Sequence, residues 1–187
     1  MKKVFLAAFI VSATTSFGQN VELAKSQLSV NLLPLTLSFE GKIDDNKSLT
    51  LAGGLGYTAW YSDSGYGSSE SVFIVVPIVY GGFRNYYARN NIRKDNLRNN
   101  SGNYFGLFAS YQLEALGTAS SFNELIAFLE TSNVYTVGPV WGIERNYASG
   151  IHLGLSMGVG VIGGKYIETT GGFIGEFELG ILLFQRQ

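Results

Sequence analysis

The chain has 187 residues, with 13 Lys and Arg against 14 Asp and Glu, a net charge of −1 and no cysteine. So even a balance removes the global electrostatic case for nucleic acid, and the missing thiols exclude disulfides, cysteine metal sites and a lipidated N-terminal cysteine. Glycine accounts for 24 residues, about twice the usual share, beside 13 Phe and 11 Tyr, an excess that few soluble β-sandwiches show.

The N-terminus reads MKKVFLAAFIVSATTSFGQN. Lys2 and Lys3 form a charged region and Val4 to Val11 an apolar one, while Ser16 and Gly18 supply small residues at the −3 and −1 positions. That is the pattern of a secretory signal over residues 1–18, cleaved before Gln19 and too short to span a bilayer. Residues 19–187 then form one domain.

Beyond it, several segments alternate with the two-residue period of a strand. LSVNLLPLTLSFEGKI (28–43) has its apolar positions even before Pro34 (Leu28, Val30, Leu32) and odd after it (Leu35, Leu37, Phe39). Either a turn at Pro34 or a bulge produces that shift. SLTLAGGLGYTAWY (48–61) sets Leu49, Leu51, Leu55, Tyr57 and Tyr61 against Ser48, Thr50, Gly54, Gly56 and Thr58. SVFIVVPIVYGGFRNYY (71–87) is apolar on both faces until Gly82, Arg84 and Tyr86 mark the polar one, and Pro77 fits best where its missing N–H does no harm. YFGLFASYQLEAL (104–116) puts Gly106, Ser110, Gln112 and Glu114 on one face; VYTVGPVWGIE (134–144) does so with Thr136, Gly138, Gly142 and Glu144. GFIGEFELGILLF (172–184) opposes Phe173, Phe177, Leu179, Ile181 and Leu183 to Glu176, Glu178 and Gly180.

GIHLGLSMGVGVIGG (150–164) admits two readings. Gly150, Gly154 and Gly158 sit four apart, as in close-packed membrane helices. As a strand, Ile151, Leu153, Leu155, Met157, Val159 and Val161 face one way, and His152, Gly154, Ser156, Gly158 and Gly160 the other. The neighbouring segments repeat the strand arrangement and interrupt any helical span with Glu, Arg or Gln, so the strand reading is taken. Open sheet edges are not tolerated in hydrocarbon, so such strands close into a barrel. The expectation is an all-β, up-and-down antiparallel transmembrane barrel of about eight strands, acting as a monomer.

Counting 28–43 as one strand gives seven, whereas bacterial single-chain barrels have an even number. Splitting near Pro34 gives eight, with short turns at DDNK (44–47) and RNYAS (145–149) and longer external loops at 62–71 and 117–132. The long 88–102 connector then falls on the side that should be short. In 117–132, Ser121 and Glu124 have capping-box spacing and Phe122, Leu125 and Leu129 share a helical face. A short amphipathic helix is expected there; the alternative is that 124–131 is itself the missing strand.

VNLLPLTLSFEGKI, GGFRNYY, GNYFGLFASYQ and VGPVWGIERNYASGIHLGLSMGVGV together resemble the small outer-membrane β-barrels of Gram-negative bacteria, the OmpA-like and OmpX-like transmembrane barrels. The resemblance spans most of residues 27–184, rests on pattern, and carries no catalytic signature. It implies residence in the outer membrane among lipids and lipopolysaccharide, and assembly by machinery that reads a C-terminal aromatic by strand addition. ELGILLF ends on such an aromatic, Phe184, but Gln185, Arg186 and Gln187 follow it. No cell-wall tether is implied.

Candidate chemistry lies on the inward faces, which collect Glu40, Lys42, Arg84, Gln112, Glu114, Glu144, Glu176 and Glu178. Charges in so narrow a lumen are costly unless paired or wet, so these residues read as a hydrogen-bonded plug or, alternatively, a polar path for ions or a small solute. Side chains roughly fill an eight-stranded interior, which excludes a wide pore. His152 and Ser156 share a face and raise a lipid-hydrolase alternative, but four residues of strand separate them by roughly 13 Å. One histidine without cysteine makes no conventional zinc site, and no cofactor is expected. Finally, Arg89, Arg93, Lys94 and Arg98 make 83–100 a basic connector, read as a mobile solvated loop or as a contact for lipopolysaccharide phosphates. The expected role is non-enzymatic: membrane integrity, surface binding or adhesion.

Overall fold

A computed structural model describes residues 22–63, 69–87, 96–114, 133–166 and 168–187, with the backbone alone for 57–63 and 69–74. The expected leader (1–18), the helix or extra strand within 117–132, and Arg89, Arg93 and Lys94 lie outside the described residues. The strands are β1 (Ser26–Leu33), β2 (Leu35–Asp44), β3 (Lys47–Asp63), β4 (Ser69–Tyr87), β5 (Gly102–Gln112), β6 (Val134–Asn146), β7 (Ile151–Gly164) and β8 (Thr170–Arg186). Each pairs antiparallel with its neighbours in sequence, and β1 pairs with β8 to close the ring.

The parity shift at Pro34 is a turn. Leu32 lies opposite Leu35, so the two-residue connection Leu33–Pro34 puts even positions of β1 and odd positions of β2 on one face. Gln27, Ser29 and Asn31 of β1 and Thr36, Ser38 and Glu40 of β2 are buried inside, while Leu32, Leu35, Leu37 and Phe39 are exposed outside. The same inversion runs round the ring: Leu51 is 61 % exposed and Phe173 90 %, whereas Glu40 and Glu144 are at most 2 % exposed. Strand period sends successive side chains to opposite faces, and ring closure makes one of those faces an interior. At Pro77 the ladder to β5 has just ended at Ile78 opposite Gln112, and Pro77 needs only to accept, from the Leu113 N–H at 2.9 Å.

The two ends of the barrel differ. At the end with the termini, β2–β3 and β6–β7 join by short turns, and the β4–β5 connector folds partly back across the mouth. There the Ala24 N–H donates to Asn100 Oδ1 at 2.7 Å and the Asn100 N–H to the Glu22 carbonyl at 3.0 Å. Leu23 is driven inward against Tyr86 and Tyr104. At the opposite end the β3–β4 hairpin is longer than the alternation indicated, its ladder running to Asp63 opposite Ser69. The β1–β2 hairpin stops well short of it. Residues 56–63 of β3 pair with β4 but not β2, and residues 170–178 of β8 pair with β7 but not β1.

Two glycines separate conformational from steric demands. Gly150 in the β6–β7 turn has φ +92° with nothing within 4 Å of an added Cβ, while a Cβ on Gly158 would come 2.9 Å from Val140 Cα, with the Pro139 carbonyl nearer still. In detergent, followed by tryptophan fluorescence during urea unfolding, Gly150→Ala is expected to cost about 1–2 kcal/mol through its backbone angle. Gly150→Asn recovers part of that loss. Gly158→Val costs about 3 kcal/mol because the β6 backbone must shift; equal losses for Ala at 150 and Val at 158 would contradict this division.

Candidate functional site: the buried charge cluster in the lumen

The inward positions of β2, β4, β6 and β8 converge on one cation. Arg84, on β4, is buried with its guanidinium against Glu144 of β6, 3.7 Å from Glu40 of β2 and 3.5 Å from Glu178 of β8. It also lies over the Tyr104 ring, 4.8 Å from the centroid. Neutral donors satisfy the remaining carboxylate oxygens. Gln27 Nε2 donates to Glu40 and to Glu144, both at 2.7 Å, and the Tyr86 hydroxyl is shared between the same two residues at 2.9 and 2.8 Å. Ser48 Oγ donates to Glu40. Glu178 receives the Tyr80 hydroxyl at 2.7 Å and Asn31 Nδ2 at 3.0 Å. A buried ion cluster survives only when its lone pairs are taken up this way.

Glycine makes the room. Gly142 faces Tyr104 across the β5–β6 ladder, and a Cβ there would meet that ring; Gly154 faces Glu178, and a Cβ would come 2.7 Å from Glu178 Oε2. Small residues opposite large ones therefore let four strands send long side chains to one point.

His152 is buried at the edge of this cluster. Its Nδ1 lies 2.7 Å from Asn146 Oδ1, and the Asn146 amide nitrogen donates to Gln27 and Glu144 at 3.1 and 3.2 Å. That network assigns the proton to His152 Nδ1. Its Nε2 faces Glu178 Oε2 at 3.7 Å. Ser156 sits opposite Glu176 while His152 sits opposite Gly180, and Ser156 Oγ is buried with no hydrogen-bond partner. Serine and histidine of the hydrolase alternative are thus not joined. Among the described residues, no three His, Asp or Glu side chains are arranged to hold a metal ion.

Of the eight expected lumen residues, Glu40, Arg84, Glu144 and Glu178 form the cluster. Lys42 does not belong to it: β2 ends two residues later, so its chain leaves the rim and pairs with Asp45 of the turn at 3.0 Å. Glu114 is also misplaced by alternation, because β5 ends at Gln112 and the residue is exposed beyond it. Gln112 and Glu176 face inward but half-buried and higher up, where a larger cavity opens. Arg98 is exposed at the end with the termini, its guanidinium donating to the Ala148 carbonyl at 2.8 Å. The partners that the sequence did not single out are neutral: Gln27, Asn31, Tyr80, Tyr104 and Asn146; Tyr86 was legible only as part of the polar face of its strand. For Gln27 and Asn31 the alternation with Leu28, Val30 and Leu32 was the available signal. Asn146 carried none, since it reads as part of a turn.

Removing the one cation from three buried carboxylates exposes the cluster's balance. Arg84→Met is expected to cost about 3–5 kcal/mol in urea unfolding of the detergent-solubilised chain, and Glu144→Gln added to it restores part of the loss. A double variant no more stable than Arg84→Met alone would show that the ion pair carries no weight.

No family model matches the chain, and neither does any curated protein or solved structure, so the site is read from its own geometry.

Proposed function

We propose that the chain is an exported outer-membrane β-barrel of the OmpA-like and OmpX-like kind, with a closed lumen and a non-enzymatic, structural or surface-binding role. One observation carries this reading: the eight-stranded ring is inverted, with a belt of exposed leucine, valine and phenylalanine outside and buried, hydrogen-bonded charge within. In water such a belt is unfavourable at roughly 25 cal/mol per Å² of apolar surface; in a bilayer it is the required surface. The leader pattern in residues 1–18 supports export.

Closure of the lumen favours structure or binding over transport. One space between Arg84 and Glu176 has a volume of about 10 Å³, at the lower limit for a single water. A non-enzymatic reading is supported by His152, whose Nδ1 is held by Asn146 and whose Nε2 faces a carboxylate already bound by Tyr80. In the proposed orientation the termini and short turns face the periplasm. Arg98 then lies on the inner side, away from lipopolysaccharide.

Expressed with its own first 18 residues in a Gram-negative host, the chain is expected in the outer-membrane fraction, resistant to salt washing, with an electrophoretic mobility that changes on heating. In planar bilayers the purified protein is expected to give no unitary conductance. Recovery in a salt-washable fraction overturns the membrane reading. Conductance steps altered by Glu178→Gln overturn the closed lumen.

A further inference from the structure

We infer that the upper half of the barrel is a binding site, open sideways through a gap in its wall, for a small uncharged or cationic amphiphile: an apolar body bearing a hydroxyl or amino group. The inference rests on the membrane reading above, and begins with the register. Below the Leu33–Pro34 turn the ring is continuous. Above it, β1 and β2 are missing, and β3 (56–63) faces β8 (170–178) across the space they would have filled. Three inter-strand spacings make that gap roughly 14 Å wide.

An open cleft of about 480 Å³ lies at the gap, partly inside the ring and partly outside it, within the size range of small-molecule sites. Its lining includes Phe173 and Phe177, which point out of the barrel, as well as Ile174 and Glu176, which point in. One strand contributes both faces only where a cavity wraps round its free edge. Leu33 and Pro34 form the sill and Gly56 the opposite jamb.

The gap sits at the depth of the apolar belt. Leu33 lies opposite Leu179, and β8 continues upward past Phe177 to Phe173, roughly 20 Å farther along the strand, with exposed Val159 and Val161 beside it on β7. The sill has the composition of a lipid-facing turn: Leu32, Leu33 and Leu35 are all exposed, whereas the β2–β3 turn at the other end is Asp44-Asp45-Asn46-Lys47. A molecule dissolved in the outer leaflet therefore meets the opening directly.

Three features define the occupant. Ile78, Phe108, Ile162 and Ile174 supply an apolar wall. Among the described residues, the β3 edge over 56–63 and the β8 edge over 170–178 have no strand partner on this side, and hydrocarbon alone would leave such backbone groups unsatisfied, so the occupant carries hydrogen-bonding groups too. The floor is Glu176, shared with the small space where Ser156 Oγ is buried without a partner. Below it, the carboxylates of Glu40, Glu144 and Glu178 face Arg84 and His152. A donor group is accepted at such a floor, and a second carboxylate is repelled.

The absence of native cysteine provides the test. Gln112→Cys, on the β5 wall of the cavity, is labelled with a bimane fluorophore and the protein reconstituted in phosphatidylcholine vesicles. Decanol and decylamine are expected to shift the bimane emission saturably, at concentrations at least tenfold below any effect of decanoate. Adding Glu176→Gln reduces the decylamine advantage over decanoate to less than threefold. Adding Leu33→Trp, at the exposed sill, weakens the response to all three, with heat-dependent mobility showing that each variant is folded. An unsaturable response, or equal responses to the three probes, overturns the proposal whichever variants fold. If the protein floats with the vesicles in a density gradient but does not respond, this site fails alone; if it does not float, the membrane reading fails first.

Discussion

In a β-strand successive side chains point to opposite faces, and a ring of strands makes one face an inside. Everything else in this molecule follows from that constraint. Backbone groups are satisfied by neighbours, so the ring needs no apolar core to hold it, and its interior is free to be polar. Leu28, Val30 and Leu32 are then committed outward by the residues between them, and Gln27, Ser29 and Asn31 inward. The price of this inversion is a narrow interior in which any charge must find its partners close at hand.

The charge cluster meets that requirement by distribution rather than by pairing alone. Arg84 touches carboxylates from three other strands, and tyrosine, glutamine, serine and asparagine hydrogen bonds take up the oxygens it cannot reach. Since these strands are distant in sequence, the cluster ties the circumference together from within. Gly142 and Gly154, each directly across a ladder from a large inward side chain, are as necessary to it as the charges. The lower mouth is closed by the same logic, with Asn100 bonding residues 22–24 across the opening.

The two halves of the barrel thereby acquire different properties. The half nearer the termini is densely hydrogen-bonded, although Asn31 Oδ1 and Asn100 Nδ2 are buried there without a partner. The other half keeps open volume, because the β1–β2 hairpin is short, and apolar inward residues such as Ile78, Phe108 and Ile174 line the space it leaves. Rigidity below and space above would give the proposed binding site a fixed floor and an accessible wall.

Periodicity and composition alone determined the strand class and the inward and outward faces, and placed the four charged members of the cluster among eight inward candidates, because alternation is a local property that any stretch of strand carries with it. The parity change from Leu32 to Leu35 already required a turn or a bulge, but only the pairing of Leu32 with Leu35 decided for the turn. Where strands end was less legible: Lys42 and Glu114 continue the alternation on paper, yet β2 and β5 stop, and beyond a strand's last partner the alternation has no meaning. The depth of Asn146, the closure of the lower mouth and the gap above Pro34 were not legible at all. Each depends on the register between strands remote in sequence, and register is fixed by the whole ring closing on itself rather than by any segment within it.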